Sequence, residues 1–305
     1  MIAFVLRRIL ASAVTLLVIV VLSFTLMRLV PGGPFDQERS IHPTILKRLQ
    51  QQYHLDEPVW KQCGRYMGSL LRGDLGPSLK RPGRTVNEIL AEAFPKSALL
   101  GATALFVALL LGGLAGVYAA LHHNTARDYV SMGLVMIGVS IPSMVLAPLL
   151  ITFFALTLHW LPTSGWGTAW HVVMPATALG LAYAARVARL TRGGMLEVLR
   201  QDFVRTARAK GLSEPVVVGR HALRLGLGPL VSYLGPATAS ILTGSFVVEQ
   251  IFAIPGMGRY FVSAATERDY TLALGTVLVY STLLVVLNLL VDIAQAILDP
   301  RVRLE

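Results

Sequence analysis

Few side chains in this sequence are placed to carry out covalent chemistry. No G-x-x-x-x-G-K-[ST] string occurs, so nothing forms the glycine-rich cradle that wraps nucleotide phosphates. Lys210 precedes Gly211 but lacks the leading glycine and the following hydroxyl. There is no H-E-x-x-H zinc pair, and His122 and His123 are adjacent, so they do not share a helix face. Ser245 could serve as a nucleophile with His171 as its base, but nothing in the spacing brings the two together. Asp292, in the last apolar run, is the type of residue that relays protons in a secondary transporter; alternatively it reaches water or an arginine at a helix end. Pro255-Gly256-Met257-Gly258 has the composition of a tight turn rather than of a carbonyl-lined ion filter. Cys63 is the only cysteine, which excludes an intrachain disulfide. The expectation is a protein that is not an enzyme and needs neither metal nor cofactor.

The surrounding elements are apolar. Hydrophobic residues make up 54% of the chain and charged residues 14%, a balance unlike that of an ordinary soluble domain. Six runs are long and poor in charge: Ile9–Val30, Ser97–Leu121, Val130–Leu158, Val172–Leu190, Leu225–Val248 and Thr271–Val291. About 20 such residues are needed to cross roughly 30 Å of hydrocarbon, so each run is predicted to be a spanning helix. The run after Arg7 and Arg8 is longer than a signal-peptide core and ends in Pro31-Gly32-Gly33-Pro34, with no small-residue cleavage site. It is predicted to be a retained first span.

The net charge of +10 is placed asymmetrically. Nine Arg and Lys fall within Arg186–Arg224, and others lie at Arg7, Arg8, Arg127, Arg301 and Arg303. The opposite short loops hold only Arg259 and Arg268. The positive-inside rule then puts both termini in the cytoplasm. The ten basic residues of Pro31–Lys96 lie in a stretch too long for that rule to weigh. This distribution speaks for a membrane surface and against nucleic acid.

Pro31–Lys96 is mixed in polarity and reads as a small extracytoplasmic insert. It has helices predicted over Pro43–Tyr53 and Val59–Leu71 and a short amphipathic helix at Thr85–Glu92 lying on the membrane surface. Pro142 and Pro148 predict a kinked third span that either packs tilted or walls a water-filled pathway.

The segment with most information is Gln201–Leu230, QDFVRTARAKGLSEPVVVGRHALRLGLGPL. Asp202 can cap a helix running to Lys210, and Gly211 is placed to end it in the left-handed conformation. Ser213 can cap a second helix with Glu214 and Pro215 in its first turn. Ala207 and Ala209 leave the first helix slim enough to enter a partner's groove; an interfacial helix on anionic lipid is the alternative.

This loop resembles the coupling loop of ABC-importer membrane subunits. Arg205-Thr206-Ala207 stands where that family carries Glu-Ala-Ala, followed by Gly211 and later by Leu227-Gly228-Pro229; the leading Glu is absent. Arg205-Thr206-Ala207-Arg208-Ala209-Lys210-Gly211-Leu212 with His221-Ala222-Leu223-Arg224 is similar to the dipeptide/oligopeptide/nickel permease branch. So are Arg28 to Phe35, Tyr53 to Pro58, Gly244 to Glu249, Pro255 to Gly258, Arg268-Asp269-Tyr270 and Asp299-Pro300-Arg301. The likeness is nearest to the first membrane subunit of oligopeptide permeases.

The resemblance implies an all-α polytopic inner-membrane protein with the six-helix type-I importer permease fold. Residues 1–30 would be the first span, 31–93 the insert, 94–296 the permease core with its coupling loop at about 191–224, and 297–305 a cytoplasmic tail. Its partners would be a homologous second permease, two ABC ATPases, an extracytoplasmic solute-binding protein and membrane lipid. Short peptides are the implied cargo, with glutathione, nickel chelates or other peptide-like solutes as alternatives. Phe203, Arg205, Thr206, Ala207, Arg208, Ala209, Lys210 and Gly211 would couple to the ATPases. Glu249, Arg259, Glu267, Arg268 and Asp269 would form a charged outer cluster that docks the binding protein or gates the pathway.

Overall fold

The computed structural model describes residues 2–29, 33–35 and 43–298. The Pro31-Gly32 stop, the Asp299-Pro300-Arg301 string and most of the 297–305 tail lie outside these residues. The described chain is helical, with one isolated bridge between Pro77 and Thr85.

The helices are α1 (Ile2–Leu29), α2 (Pro43–Gln52), α3 (Val59–Leu70), α4 (Val86–Leu121), α5 (Ala126–Ser140), α6 (Ser143–Leu150), α7 (Trp170–Leu199), α8 (Asp202–Ala209), α9 (Glu214–Val216), α10 (Leu223–Gly226), α11 (Gly228–Gly244), α12 (Phe246–Ile251), α13 (Met257–Glu267) and α14 (Tyr270–Leu298). π-Helical turns at Ile151–Thr157 and Val217–Ala222 extend α6 and α9.

Among the described residues, four helical stretches are long and apolar enough to cross a membrane: Leu6–Leu29, Val86–Leu121, Gly228–Ile251 and Tyr270–Leu290. A fifth is present if Ala126–Ser140 and Ser143–Thr157 form one span. That pair is bent by 101° at Ile141-Pro142, far more than the predicted kink. Pro142 removes a backbone donor and holds Ile141 in an extended conformation (ψ 116°). The predicted fourth span lies in α7, whose second half carries Arg186, Arg189 and Arg192; α7 is not among the apolar stretches.

The chain divides into two compact units. Met1–Lys96 and Pro255–Leu289 form the first. Its core joins Val86, Ile89, Leu90 and Ala93 to Met257, Ala264, Leu272 and Ala273. The i, i+3, i+4, i+7 spacing of the first four puts them on one helix face. It also explains a departure from expectation: Thr85–Glu92 is no separate surface helix, because Val86 opens α4, which runs unbroken through Pro95 to Leu121.

Ser97–Ile254 and Leu290–Glu305 form the second unit. Helix α7 is its hub, packed by α5, α6, α10 and α11. Small residues allow the backbones to approach. A Cβ added to Gly116 would lie 2.6 Å from the Ala188 carbonyl and 2.7 Å from Thr191 Cβ. One turn earlier Gly112 faces Ala184 in the same way, giving a small-xxx-small seam between α4 and α7. Gly116→Leu is therefore expected to force these helices apart, at a cost of roughly 1–3 kcal/mol or more. A thermal midpoint in detergent equal to that of the unaltered chain would refute the seam.

Candidate functional site

The Gln201–Leu230 segment folds as a helix, a glycine turn and a second helix. Helix α8 begins after Gln201, whose extended backbone (ψ 152°) makes it the N-cap in place of Asp202. Asp202 is instead the first helical residue, where its charge complements the N-terminal dipole. The helix ends as expected. Gly211 adopts φ +79°, Gly211 N–H donates to Arg208 O at 2.9 Å, and Leu212 N–H donates to Ala207 O at 3.4 Å. That pair of bonds is a Schellman cap. Nothing lies within 4 Å of a Cβ built on Gly211, so the glycine is there for its dihedral and not for space. Ser213 takes the N-cap position of α9 through its backbone (ψ 146°) without a side-chain cap bond, and Pro215 lies in the first turn.

Burial sorts the residues of this segment. Val204 and Ala207 are inward, in a cluster with Ala120, Met195, Val198, Val217 and Ala222. Ala207, expected to meet a partner, meets its own chain: it stands three residues after Val204 and so shares that buried face. Phe203, Arg205, Thr206, Arg208, Ala209, Lys210 and Gly211 are exposed, as are Leu212 and Val216. Phe203, Thr206 and Lys210 recur at i, i+3 and i+7 and share a second face. Two arginines have partners within the chain. Arg205 lies 3.5 Å from Asp202, and Arg208 holds Glu214 through contacts of 2.6 and 3.2 Å.

The Arg208 hydrogen bonds hold the Glu214 carboxyl below its ordinary value of 4.5, partly opposed by desolvation. Because the folded value is the lower one, the stabilisation is complete above 4.5 and fades as pH falls through the folded value. The pair is exposed, so its contribution is small and salt-sensitive. Arg208→Ala is expected to shift the thermal midpoint by no more than the equivalent of about 1 kcal/mol at neutral pH, and by less in high salt. A larger, salt-independent shift would mean that Arg208 is doing something other than pairing.

The five residues expected to form a charged outer cluster do not behave alike. Glu249 is fully buried and accepts from Ser97 Oγ at 2.8 Å and Ser245 Oγ at 2.7 Å. Ser245, one turn before Glu249, marks the break between α11 and α12; it is bonded to a carboxylate and is not poised as a nucleophile. Asp269 is also fully buried. It accepts from Ser78 Oγ, from Leu79 N–H at 3.1 Å and Lys80 N–H at 3.3 Å, and from Leu272 N–H at 3.2 Å. Arg259 and Glu267 are exposed and Arg268 is half-buried, its backbone left-handed at φ 61°. Glu267 pairs with Arg81 at 3.3 Å, and Arg81 lies 3.7 Å from Asp269.

Sequence reasoning missed a further buried pair. Asp128, 1% exposed, takes a bidentate hydrogen bond from Arg192 at 2.7 and 2.8 Å, tying α5 to α7. His123 lies beside it, 3.7 Å from Asp128 and 3.3 Å from Arg192. Among the described residues, no group of three His, Cys, Asp or Glu side chains is arranged to hold a metal ion.

The family model described as binding-protein-dependent transport system inner membrane component matches residues 112–304, and its N-terminal counterpart matches residues 1–96. The chain belongs to this family. It is 47% identical over 305 residues to the oligopeptide transport system permease protein OppB of Escherichia coli (strain K12), covering 99% of this chain and 100% of that protein. It is 46% identical to the dipeptide transport system permease protein DppB of Bacillus subtilis (strain 168), covering 99% and 98%. Among solved structures, an amino acid ABC transporter with histidines matches at a TM-score of 0.53 with 15% identity, over 68% of this chain and 94% of that one. The MetNI methionine ABC transporter, in inward-facing conformations, matches at 0.51 with 20% identity, over 70% and 95%. These two show the fold alone: that of ABC-transporter membrane components. The matched span 112–304 contains the whole α8–α10 segment and both Glu249 and Asp269.

Proposed function

We propose that this chain is one of two permease subunits of an ATP-driven importer of short peptides. The observation that carries the reading is the end-to-end likeness, 47% and 46% identical, to proteins named as oligopeptide and dipeptide permeases. In this reading the chain crosses the inner membrane six times with both termini cytoplasmic, α7 and the bent α5–α6 pair supplying the spans that composition alone does not identify. Residues 31–93 lie outside. A homologous permease completes the pathway, two ABC ATPases supply hydrolysis and a solute-binding protein delivers cargo.

Coupling falls to α8 and its cap. The exposed face of Phe203, Thr206 and Lys210, with Arg205 and Ala209, contacts an ATPase. Ala207 and Gly211 set the shape of the element, and Arg208 braces it through Glu214. On the outer side, Arg259, Glu267 and Arg268 meet the binding protein, while Asp269 holds the backbone of Leu79, Lys80 and Leu272 and Glu249 ties Ser97 to Ser245 within its own unit.

The test is uptake into proteoliposomes containing both permeases and both ATPases, with labelled peptides of graded length and the binding protein supplied on the outer side. Uptake is expected to need ATP and the binding protein, and to be competed by unlabelled short peptides. Uptake driven by a proton gradient without ATP, or confined to glutathione or nickel chelates, would overturn the peptide-importer reading.

A further inference from the structure

We propose that Arg186 of α7, held against the ring of Tyr233 of α11, binds the terminal carboxylate of peptide cargo on its way through the membrane. The inference deepens the peptide-importer reading and rests on it.

It starts from the face that α7 leaves uncovered. Helix α7 is packed by α5, α6, α10 and α11, and Gly112 and Gly116 of α4 close on Ala184 and Ala188. After Val173, no large hydrophobic side chain of α7 is exposed. The exposed positions beyond it are Arg186, Arg189, Gly193 and Glu197. Their spacing of i, i+3, i+7 and i+11 puts them on one face. A face of this kind does not suit lipid; α1, by contrast, exposes Leu10, Leu17, Val18, Leu22 and Leu26. Ionisable side chains inside a span face water or protein, and they mark solute paths. Arg186 stands near the middle of the 30-residue α7, about 24 Å from its first residue.

The Arg186 guanidinium lies 5.4 Å from the Tyr233 ring centroid. Among the described residues it has no ion pair and no hydrogen bond. The ring face restrains the guanidinium and leaves its edge N–H groups for a carboxylate, which they can take as a fork. Tyr183 stands one turn before Arg186. It packs with Tyr233 on the cluster of Ala108, Val187 and Leu230. Both tyrosines are half-buried, yet neither hydroxyl is buried or has a hydrogen-bond partner among the described residues. The site therefore offers one cation and two open hydroxyls, with no acid in reach. Its complement is an anion with more than one acceptor.

Every short peptide carries such a group at its C-terminus, whatever its side chains. A contact with that group asks nothing of the peptide's sequence, which suits a path that passes many peptides. A carboxylate of the second permease has the same chemistry, and the experiment separates the two sources.

The experiment is saturation-transfer NMR of trialanine and of its C-terminal amide on the purified importer. Both permeases and both ATPases are present and the binding protein is left out, so its own selectivity does not enter. The free acid is expected to bind severalfold more tightly than the amide. Arg186→Gln should weaken the acid about tenfold and leave the amide where it was, so that the preference disappears. Arg186→Lys, which keeps the charge and loses the fork, should fall between. Tyr233→Leu removes the ring face and should weaken the acid severalfold. Should a variant fail to fold, the comparison of acid with amide on the unaltered importer still decides. Equal affinities of the two there, or no binding of either, would overturn the proposal. So would an equal weakening of both by Arg186→Gln, the result expected if Arg186 meets a carboxylate of the second permease. An importer that takes up peptides in proteoliposomes but gives any of these results loses this site and keeps the importer reading; one that takes up no peptide loses the reading itself.

Discussion

Asp269→Ala is expected to release the hairpin around residues 77–85 and to cost roughly 3–5 kcal/mol of stability, as removal of one member of a buried charged network does. The carboxylate is fully buried and accepts from the Ser78 hydroxyl and three backbone N–H groups, two from Leu79 and Lys80 and one from Leu272 at the start of α14. Alanine would remove the acceptor of these four donors and of the Thr271 hydroxyl, which donates at 3.3 Å, and Ser78 is itself only 1% exposed. Arg81, whose guanidinium lies 3.7 Å from Asp269, would lose that partner while keeping Ser263 at 3.1 Å and Glu267 at 3.3 Å. Because cleavage tracks the open population, a loss of 3 kcal/mol corresponds to roughly two orders of magnitude in trypsin cutting after Lys80, Arg81 or Arg84. Asp269→Asn, which keeps the volume and one acceptor oxygen, should fall between. Thermal midpoint and cleavage rate are measured on the same detergent-purified samples. Values matching the unaltered chain would show that the hairpin is held by something other than Asp269.

Much of this architecture was legible from composition, because a membrane leaves few options for an apolar run of 20 or more residues. The positions of α1, α4, α11 and α14 follow from it, and the left-handed glycine at the end of α8 follows from local chemistry. What the sequence concealed depends on long-range partners. Glu249 and Asp269 look like members of an exposed charged loop, but their hydroxyl partners Ser97 and Ser78 lie 152 and 191 residues away. No local pattern announces those bonds. Asp128 is a similar case, 64 residues from Arg192. The burial of Ala207 is hard to read for a different reason: alanine is equally at home in a tight internal seam and in a slim docking face, and only the position of Val204 three residues earlier hints at the first. The seam of Gly112 and Gly116 could have been found by looking for small residues one turn apart.

The burial of Ala207 changes how the proposed coupling role of α8 must be tested. Ala207→Glu would place a charge among Ala120, Met195, Val198 and Val217, so a loss of transport would report only a damaged fold. Gly211 and Phe203 are cleaner. Gly211→Val is expected to strain the left-handed turn by about 1–2 kcal/mol, with no steric clash to confuse the result, since nothing lies within 4 Å of its Cβ position. The Schellman cap would open and α8, only eight residues long, would no longer present a fixed surface. Gly211→Asn should restore function, because asparagine tolerates φ near +79°; a requirement for space would not discriminate between them in this way. Phe203→Glu leaves the cap and the buried Val204–Ala207 face intact and removes an exposed aromatic, the residue type that most often dominates interfaces. Both Gly211→Val and Phe203→Glu are expected to reach the membrane at ordinary levels, to lower ATP-dependent uptake about tenfold or more, and to release the ATPases on purification or uncouple their hydrolysis from import. Normal uptake and normal co-purification in both variants would move the contact off α8, toward the arginine-rich end of α7.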